Sequence, residues 1–387
     1  MKKMSKFASI VLAAVMTLSL VACGSTNDAN NSGSSDTFKI GGIGPTTGGA
    51  AIYGQAVMNA AQIAVDEINA NGGVNGYKLE LNFQDDEHDA EKSVNAYNNL
   101  KDWGAQIIMG SVTSAPCIAV SEKTKADNMF QITPSGTAVE CVQYDNAFRV
   151  CFSDPTQGVI AAQYIKENAV GTKVAVIYDS SDTYSTGIYE AFAAEAAAQS
   201  LEIVSTEAFT ADSNKDFSVQ LQKAKDAGAD VVFLPIYYNE SALVLSQAAQ
   251  MDYAPVFFSV DGMDGILGVE NFDASLAEGV IFLSPFTSTV NDKAVAFSAL
   301  YEEKYGEIPN QFAADAYDAI YIIKAAIELS GVTPDMSVSD ICEGLKGAMV
   351  QLDFSGPTGD SIKWGADGEP AKTPIVIKIV DGVYTVL

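Results

Sequence analysis

The sequence predicts an α/β protein built as two Rossmann-like lobes, each a parallel sheet flanked by helices. Three observations carry this. From Phe38 onward, short runs of β-branched and aromatic residues alternate with longer amphipathic stretches. That alternation completes one series near Ile132 and begins a second near Gln157. The stretch from Thr37 to Leu387 is also long for one hydrophobic core and comfortable for two.

The first series opens with a strand over Phe38–Ile43. A helix follows from about Ala50 to Asn71, in which Val57, Ala61, Ala64, Val65 and Ile68 recur at helical spacing until Gly72-Gly73 stops it. Leu79–Phe83 alternates as a strand, Ala90–Trp103 reads as helix and Gln106–Met109 as a buried strand. Ser114–Ala126 (helix) and Met129–Ile132 (strand) complete the unit. In the second series Gln157–Glu167 is helical, Lys173–Tyr178 is a buried strand, and Tyr184–Gln199 is an alanine-rich helix. Leu201–Val204, Asp216–Ala227, Asp230–Leu234, Glu240–Met251 and Val256–Phe258 continue the rhythm. Helices are expected over Asp292–Tyr305 and Asn310–Ser330. Thr373–Leu387 reads as two strands about Asp381-Gly382, a dipeptide suited to a two-residue hairpin turn.

Residues 1–22 do not belong to the fold. Lys2, Lys3 and Lys6 form a positive head, and Ala8–Leu20 is apolar but too short to span a bilayer as a mature helix, so the segment reads as a signal peptide. It ends at Leu20-Val21-Ala22-Cys23, which resembles a bacterial lipobox. Cys23 is therefore the expected site of lipid attachment, and more than one acyl chain on it suffices for stable anchoring. Residues 23–36 are almost entirely Ser, Asn, Gly, Asp and Thr beyond the cysteine, the composition of a flexible tether. The expected location is the extracytoplasmic face of the cell membrane.

Charge and rare residues exclude several functions. Removing Lys2, Lys3 and Lys6 leaves 19 basic residues against 49 acidic, a formal charge of −30. Such a surface repels nucleic acid and anionic headgroups, so no nucleic-acid partner is expected and the membrane is reached through the lipid. His88 is the single histidine and Arg149 the single arginine. A multi-histidine metal site is thereby excluded, and no metal or cofactor is expected. No G-x-S-x-G nucleophile elbow occurs, and His88 follows Asp85-Asp86-Glu87 in what reads as a charged surface loop, so catalysis is not expected. Beyond Cys23 the cysteines are Cys117, Cys141, Cys151 and Cys342, without a C-x-x-C pair. An exported setting permits a Cys141–Cys151 disulfide, and buried free thiols serve equally well.

In an open α/β sheet ligands sit at the carboxyl ends of strands. Gly44-Pro45-Thr46-Thr47-Gly48-Gly49 lacks the Gly-Lys-Ser/Thr ending of a phosphate loop and the third glycine of a dinucleotide fingerprint. It is a turn that places Tyr53 at a helix start. Ser111-Val112-Thr113-Ser114 and Thr133-Pro134-Ser135-Gly136-Thr137 each follow a buried strand and open a helix. Hydroxyls and free N–H groups there suit a small carboxylate, although simple N-capping explains one hydroxyl in each loop. The second series supplies Tyr184, Tyr237 and Asp261 in successive strand-end loops. Hydroxyls facing phenols and an acid would suit a zwitterion with an apolar tail.

The ordered set of motifs resembles the leucine/isoleucine/valine-binding proteins of bacterial ABC importers, which have the type I periplasmic-binding fold. The resemblance runs from Phe38 to the C-terminus on Gly44-Pro45…Tyr53-Gly54, Ala64-Val65-Asp66-Glu67-Ile68-Asn69…Gly72-Gly73 and Asp85-Asp86. It continues through Gly110…Ser114, Pro134-Ser135-Gly136-Thr137, Phe148-Arg149, Tyr184-x-x-Gly187, Tyr237-Tyr238-x-Glu240 and Tyr317-Asp318-Ala319. It implies two lobes on a multi-strand hinge, residues 37–153 with 287–365 and residues 154–286 with 366–387, closing on a small amino acid. Ser114 and Thr137 would take the α-carboxylate, the backbone at Ser135 would help hold the α-ammonium, and Gly136 would belong to the same ligand site. Asp261 would counter that ammonium where the family usually has a glutamate, one methylene longer. Tyr53, Tyr184, Tyr237 and Phe312 would enclose the side chain. The family's disulfide positions fall on His88 and Thr113, so that bridge is absent. Asp85, Asp86 and Arg149 are expected to be structural.

The function expected is capture of a branched-chain or related apolar amino acid by a monomer that delivers it to the permease subunits of an ABC importer. Alternatives are a sensor of the same fold for an amide, urea or amino-acid relative and, less consistent with the motifs, an extracellular hydrolase.

Overall fold

The computed structural model describes residues 37–387. The expected signal peptide, tether and lipidated Cys23 lie outside the described residues. The elements in chain order are β1 (Thr37–Gly44), α1 (Ala51–Ala70), β2 (Lys78–Asp85), α2 (Ala90–Trp103), β3 (Ile107–Met109), α3 (Ser114–Asp127), β4 (Phe130–Thr133) and β5 (Ala147–Arg149). Then come α4 (Asp154–Glu167), β6 (Lys173–Asp179), α5 (Thr183–Ala198), β7 (Glu202–Phe209), α6 (Ser218–Asp226), β8 (Val231–Leu234), α7 (Tyr238–Gln250), β9 (Val256–Ser259) and β10 (Ile281–Ser284). The chain ends with α8 (Asp292–Tyr305), α9 (Gln311–Ser330), α10 (Val338–Met349), β11 (Phe354–Gly356), β12 (Gly359–Ile362), β13 (Ile375–Val380) and β14 (Val383–Val386).

Two sheets organise these elements, as the strand and helix rhythm predicts. The first, ordered β2-β1-β3-β4-β5, is wholly parallel. The second, ordered β14-β13-β10-β9-β8-β6-β7, is parallel from β10 to β7 and antiparallel at β13 and β14. Central strands β3, β4, β8 and β10 are buried at every residue because helices cover both faces. Edge strand β2 instead exposes part of its length. The chain passes between the sheets three times: after β5, between β10 and α8, and between β12 and β13.

Local chemistry explains several element ends. Asp89 caps α2 by accepting from Lys92 N, and Asn310 caps α9 by accepting from Ala313 N. The terminal hairpin turns at Asp381 and Gly382, both left-handed at φ 52° and 72°, the backbone that a two-residue turn requires.

Beyond the predicted elements, the structure adds β5, β10, α10 and the β11–β12 ribbon. Strand β7 runs to Phe209 instead of stopping at Val204, because its later residues keep pairing with β6 past a register shift at Val174/Ala175. Among the described residues no helix is long and apolar enough to cross a membrane. Cys117, Cys141, Cys151 and Cys342 are all buried free thiols, which answers the pairing question in favour of packing.

Candidate functional site

Eight of the nine sequence-predicted ligand residues meet around one cavity: Tyr53, Ser114, Ser135, Thr137, Tyr184, Tyr237, Asp261 and Phe312. Val112, Thr113 and Gly262 complete its lining. The ninth, Gly136, belongs to the β4–β5 loop but does not line the cavity. Its N–H donates to Thr133 Oγ1 at 2.8 Å, and a Cβ there would lie 2.9 Å from that oxygen and 3.1 Å from the sulfurs of Cys117 and Cys141. Glycine is needed at this position for packing, so its part is to shape the loop.

The wall built by the first sheet is made of loop ends held by their own backbone. Ser114 begins α3, whose N-cap Thr113 makes no side-chain capping bond, so this helix start opens uncapped onto the cavity. Ser114 Oγ accepts from Ala138 N at 3.2 Å. Ser135 spends its hydroxyl on Val112 O at 2.7 Å, leaving backbone as its means of contacting a ligand. Thr137 Oγ1 is buried without a hydrogen-bond partner. Behind the loop, Arg149 is fully buried and donates to Gly136 O at 3.0 Å and Ala138 O at 2.8 Å, with Glu369 at 3.2 Å as its ion partner. Arg149 thus fixes the carbonyls that flank Thr137. Asp85 accepts from Thr46 N at 2.8 Å and Asp86 from Ser111 Oγ and His88 N, so both tie loops as expected.

The opposite wall is aromatic and acidic. Tyr184 OH donates to Asp261 Oδ1 at 2.6 Å and accepts from Gly262 N at 2.9 Å. Its ring stacks on Tyr237 at 4.7 Å. Burial pushes the Asp261 carboxyl up to about 6, against the pull of Tyr184 and Gln157, with Asp315 adding to the rise. Burial, with Asp261 nearby, keeps the Tyr184 phenol protonated as a donor. Gln157 was not singled out from the sequence; its Oε1 accepts from Asp261 N at 3.0 Å and so orients the acid's backbone.

Contacts across the cavity join the walls. Tyr53 OH donates to Gly262 O at 2.5 Å and accepts from Tyr238 N at 3.3 Å, while its ring stacks on Phe312 at 4.0 Å. Asn239 Nδ2 donates to Gly49 O at 2.5 Å. In this arrangement the free space between the walls is about 10 Å³, the room of roughly one water molecule. The walls must therefore part to admit anything larger.

His88 corrects the sequence reading. Left-handed backbone at Glu87 and His88 turns the ring inward, away from the charged loop surface. Its Nδ1 lies 2.8 Å from Thr113 Oγ1, and the ring meets Tyr237 edge-on at 5.4 Å. Burial holds the imidazole below its usual pKa despite Asp86, Asp179 and Asp89. The hydrogen bond to Thr113 ties the β2–α2 loop to the start of α3. Among the described residues, no group of three or more His, Cys, Asp or Glu side chains could hold a metal ion.

Comparison with known proteins agrees with this architecture. A family model described as periplasmic binding protein matches residues 37–382. The Leu/Ile/Val-binding protein homolog 3 of Brucella melitensis biotype 1 is 32% identical over 340 residues, covering 84% of this chain and 90% of that protein. The branched-chain amino acid transporter substrate-binding protein LivJ of Streptococcus pneumoniae, solved with isoleucine, is 31% identical with a TM-score of 0.83 over 91% of this chain and 99% of that one. The leucine-binding protein LivK of Thermotoga maritima is 27% identical with a TM-score of 0.82, over 90% and 97% of the two chains.

Proposed function

Because this chain belongs to the periplasmic binding protein family, we propose that it captures a branched-chain or similarly small apolar amino acid between its lobes and delivers it to an ABC importer. It is a non-catalytic solute-binding protein; the proposal adds that it works as a monomer held at the extracytoplasmic face by lipid on Cys23. One observation carries the reading of the ligand: the uncapped α3 start and the unpartnered Thr137 hydroxyl open onto the same cavity as Asp261.

The chemistry follows from the two walls. Ser114, Thr137 and the α3 N-terminus receive the α-carboxylate, with the helix dipole favouring the negative charge. Asp261, held by Tyr184, receives the α-ammonium together with backbone at Ser135. Tyr53, Tyr237 and Phe312 close over the apolar side chain. An ammonium or carboxylate left unpaired in a closed cleft costs several kcal/mol, on the order of 3–5. Burying an aliphatic side chain contributes about 1.5–3 kcal/mol, and one methylene discriminates by about 1–3 kcal/mol. The zwitterion contacts thus define the ligand class, and cage shape selects the member. Calorimetric titration with the common amino acids tests this: leucine, isoleucine or valine is expected to bind, and a folded sample giving heat with none of the amino acids would refute it.

A further inference from the structure

A second cavity, of about 470 Å³, adjoins the first. Asp154, at the start of α4, lines it, and the hydrogen bond from Asp154 N to Thr137 O, 2.9 Å long, ties its floor to the rim of the ligand cavity. Glu140 faces it from the first lobe's wall, with Asp182, Glu190 and the hydroxyls of Thr183 and Thr186 from α5 and the loop before it. None of the lining residues is basic.

Asp154 is the unusual member. It is 2% exposed, and neither of its carboxyl oxygens has a hydrogen-bond partner. It follows Ser153, the N-cap of α4, whose side chain makes no capping bond. Burial holds it well above the usual carboxylate range and Asp261 and Asp182 add to that, while Arg149 and the Thr137 hydroxyl, which lies close by without meeting hydrogen-bond geometry, oppose it. A buried, unsatisfied carboxyl costs free energy that a matching cation with N–H donors would recover. The absence of a metal-ligating group among the described residues directs that requirement to an organic cation.

We propose that this side cavity is a second subsite, with Asp154 at its floor, that takes a primary ammonium group. Two sources share that chemistry. One is the far-end ammonium of a diamino acid whose α-carboxylate and α-ammonium occupy the first cavity, which rests on the amino-acid reading above. The other is a separate small alkylamine, which does not.

Calorimetry on the full chain at constant ionic strength separates them, using L-leucine, L-ornithine, and butylammonium with and without saturating leucine. Ornithine or butylammonium is expected to bind the wild type and to weaken at least about tenfold in Asp154→Asn, while leucine stays within about threefold. Ornithine binding alone identifies the diamino acid; butylammonium binding beside leucine identifies the free amine. If Asp154→Asn does not fold, Asp182→Asn on the same cavity is expected to weaken the cation by a smaller, still selective factor. Leucine binding without either cation, or equal losses for leucine and cation in the variant, would overturn the subsite. Butylammonium binding without leucine would keep the subsite and refute the amino-acid reading.

Discussion

The two walls of the cleft solve one recognition problem by opposite means. The first lobe's wall presents neutral donors, the start of α3 and the Thr137 hydroxyl, braced from behind by Arg149. The second lobe's wall presents an acid whose strength is set by what surrounds it: Asp261 is hydrogen-bonded by Tyr184, and burial pushes its carboxyl up to about 6. A wall of neutral donors is insensitive to pH and tolerates loss of one member. A wall with a single buried charge does neither, so the two should respond unequally to substitution.

The largest effect is expected at the charged wall. Asp261→Ala strands the ligand ammonium, and affinity for the preferred amino acid should fall by about 3–5 kcal/mol, roughly a hundredfold to several thousandfold by calorimetry. A loss under tenfold would dissolve the asymmetry. On the neutral wall, Thr137→Val removes one hydrogen bond to a charged group, and an affinity loss of about 1.5–3 kcal/mol is expected. A loss as large as that of Asp261→Ala would show that the walls carry equal weight.

The pH response sharpens the same contrast. Asp261 has its free-state pKa raised to about 6, and only the ionised form pairs with an ammonium. Affinity should therefore be level above about pH 7. It should decline as pH falls through 6, by up to about tenfold per unit, since binding must then expel a proton. Tyr184→Phe gives the smallest change. Its hydroxyl lowers the Asp261 pKa, so removing it should move the midpoint of the affinity–pH curve upward and cost about 0.5–1.5 kcal/mol at pH 7. An unmoved midpoint would mean that Tyr184 only packs.

The same division governs what could be read from the chain. The strand-end loops were legible because hydroxyl and aromatic residues recur at fixed places after apolar runs: Tyr53, Ser114, Ser135, Thr137, Tyr184, Tyr237 and Asp261 share one cavity, joined by Phe312, which the family resemblance alone supplied. Strand β10 was not, although Val280–Leu283 is the same kind of short apolar run as β3 and β8, because such a run without period-two alternation also suits a buried helix segment. His88 was misread because its neighbours Asp85, Asp86, Glu87 and Asp89 look solvated, whereas local left-handed backbone, invisible in composition, folds its ring into the cleft. Gln157 and Asp154 matter only because α4 starts beside Thr137 and Asp261, a tertiary relation that spacing along the sequence does not contain.

Calorimetric comparison of L-leucine with leucinamide, which lacks the carboxylate, and 4-methylpentanoate, which lacks the ammonium, tests directly whether both walls act on one ligand. Leucine is expected to bind, and each truncated analogue to lose on the order of 3–5 kcal/mol. Either analogue binding within about threefold of leucine would contradict the account, because one of the two walls would then be idle.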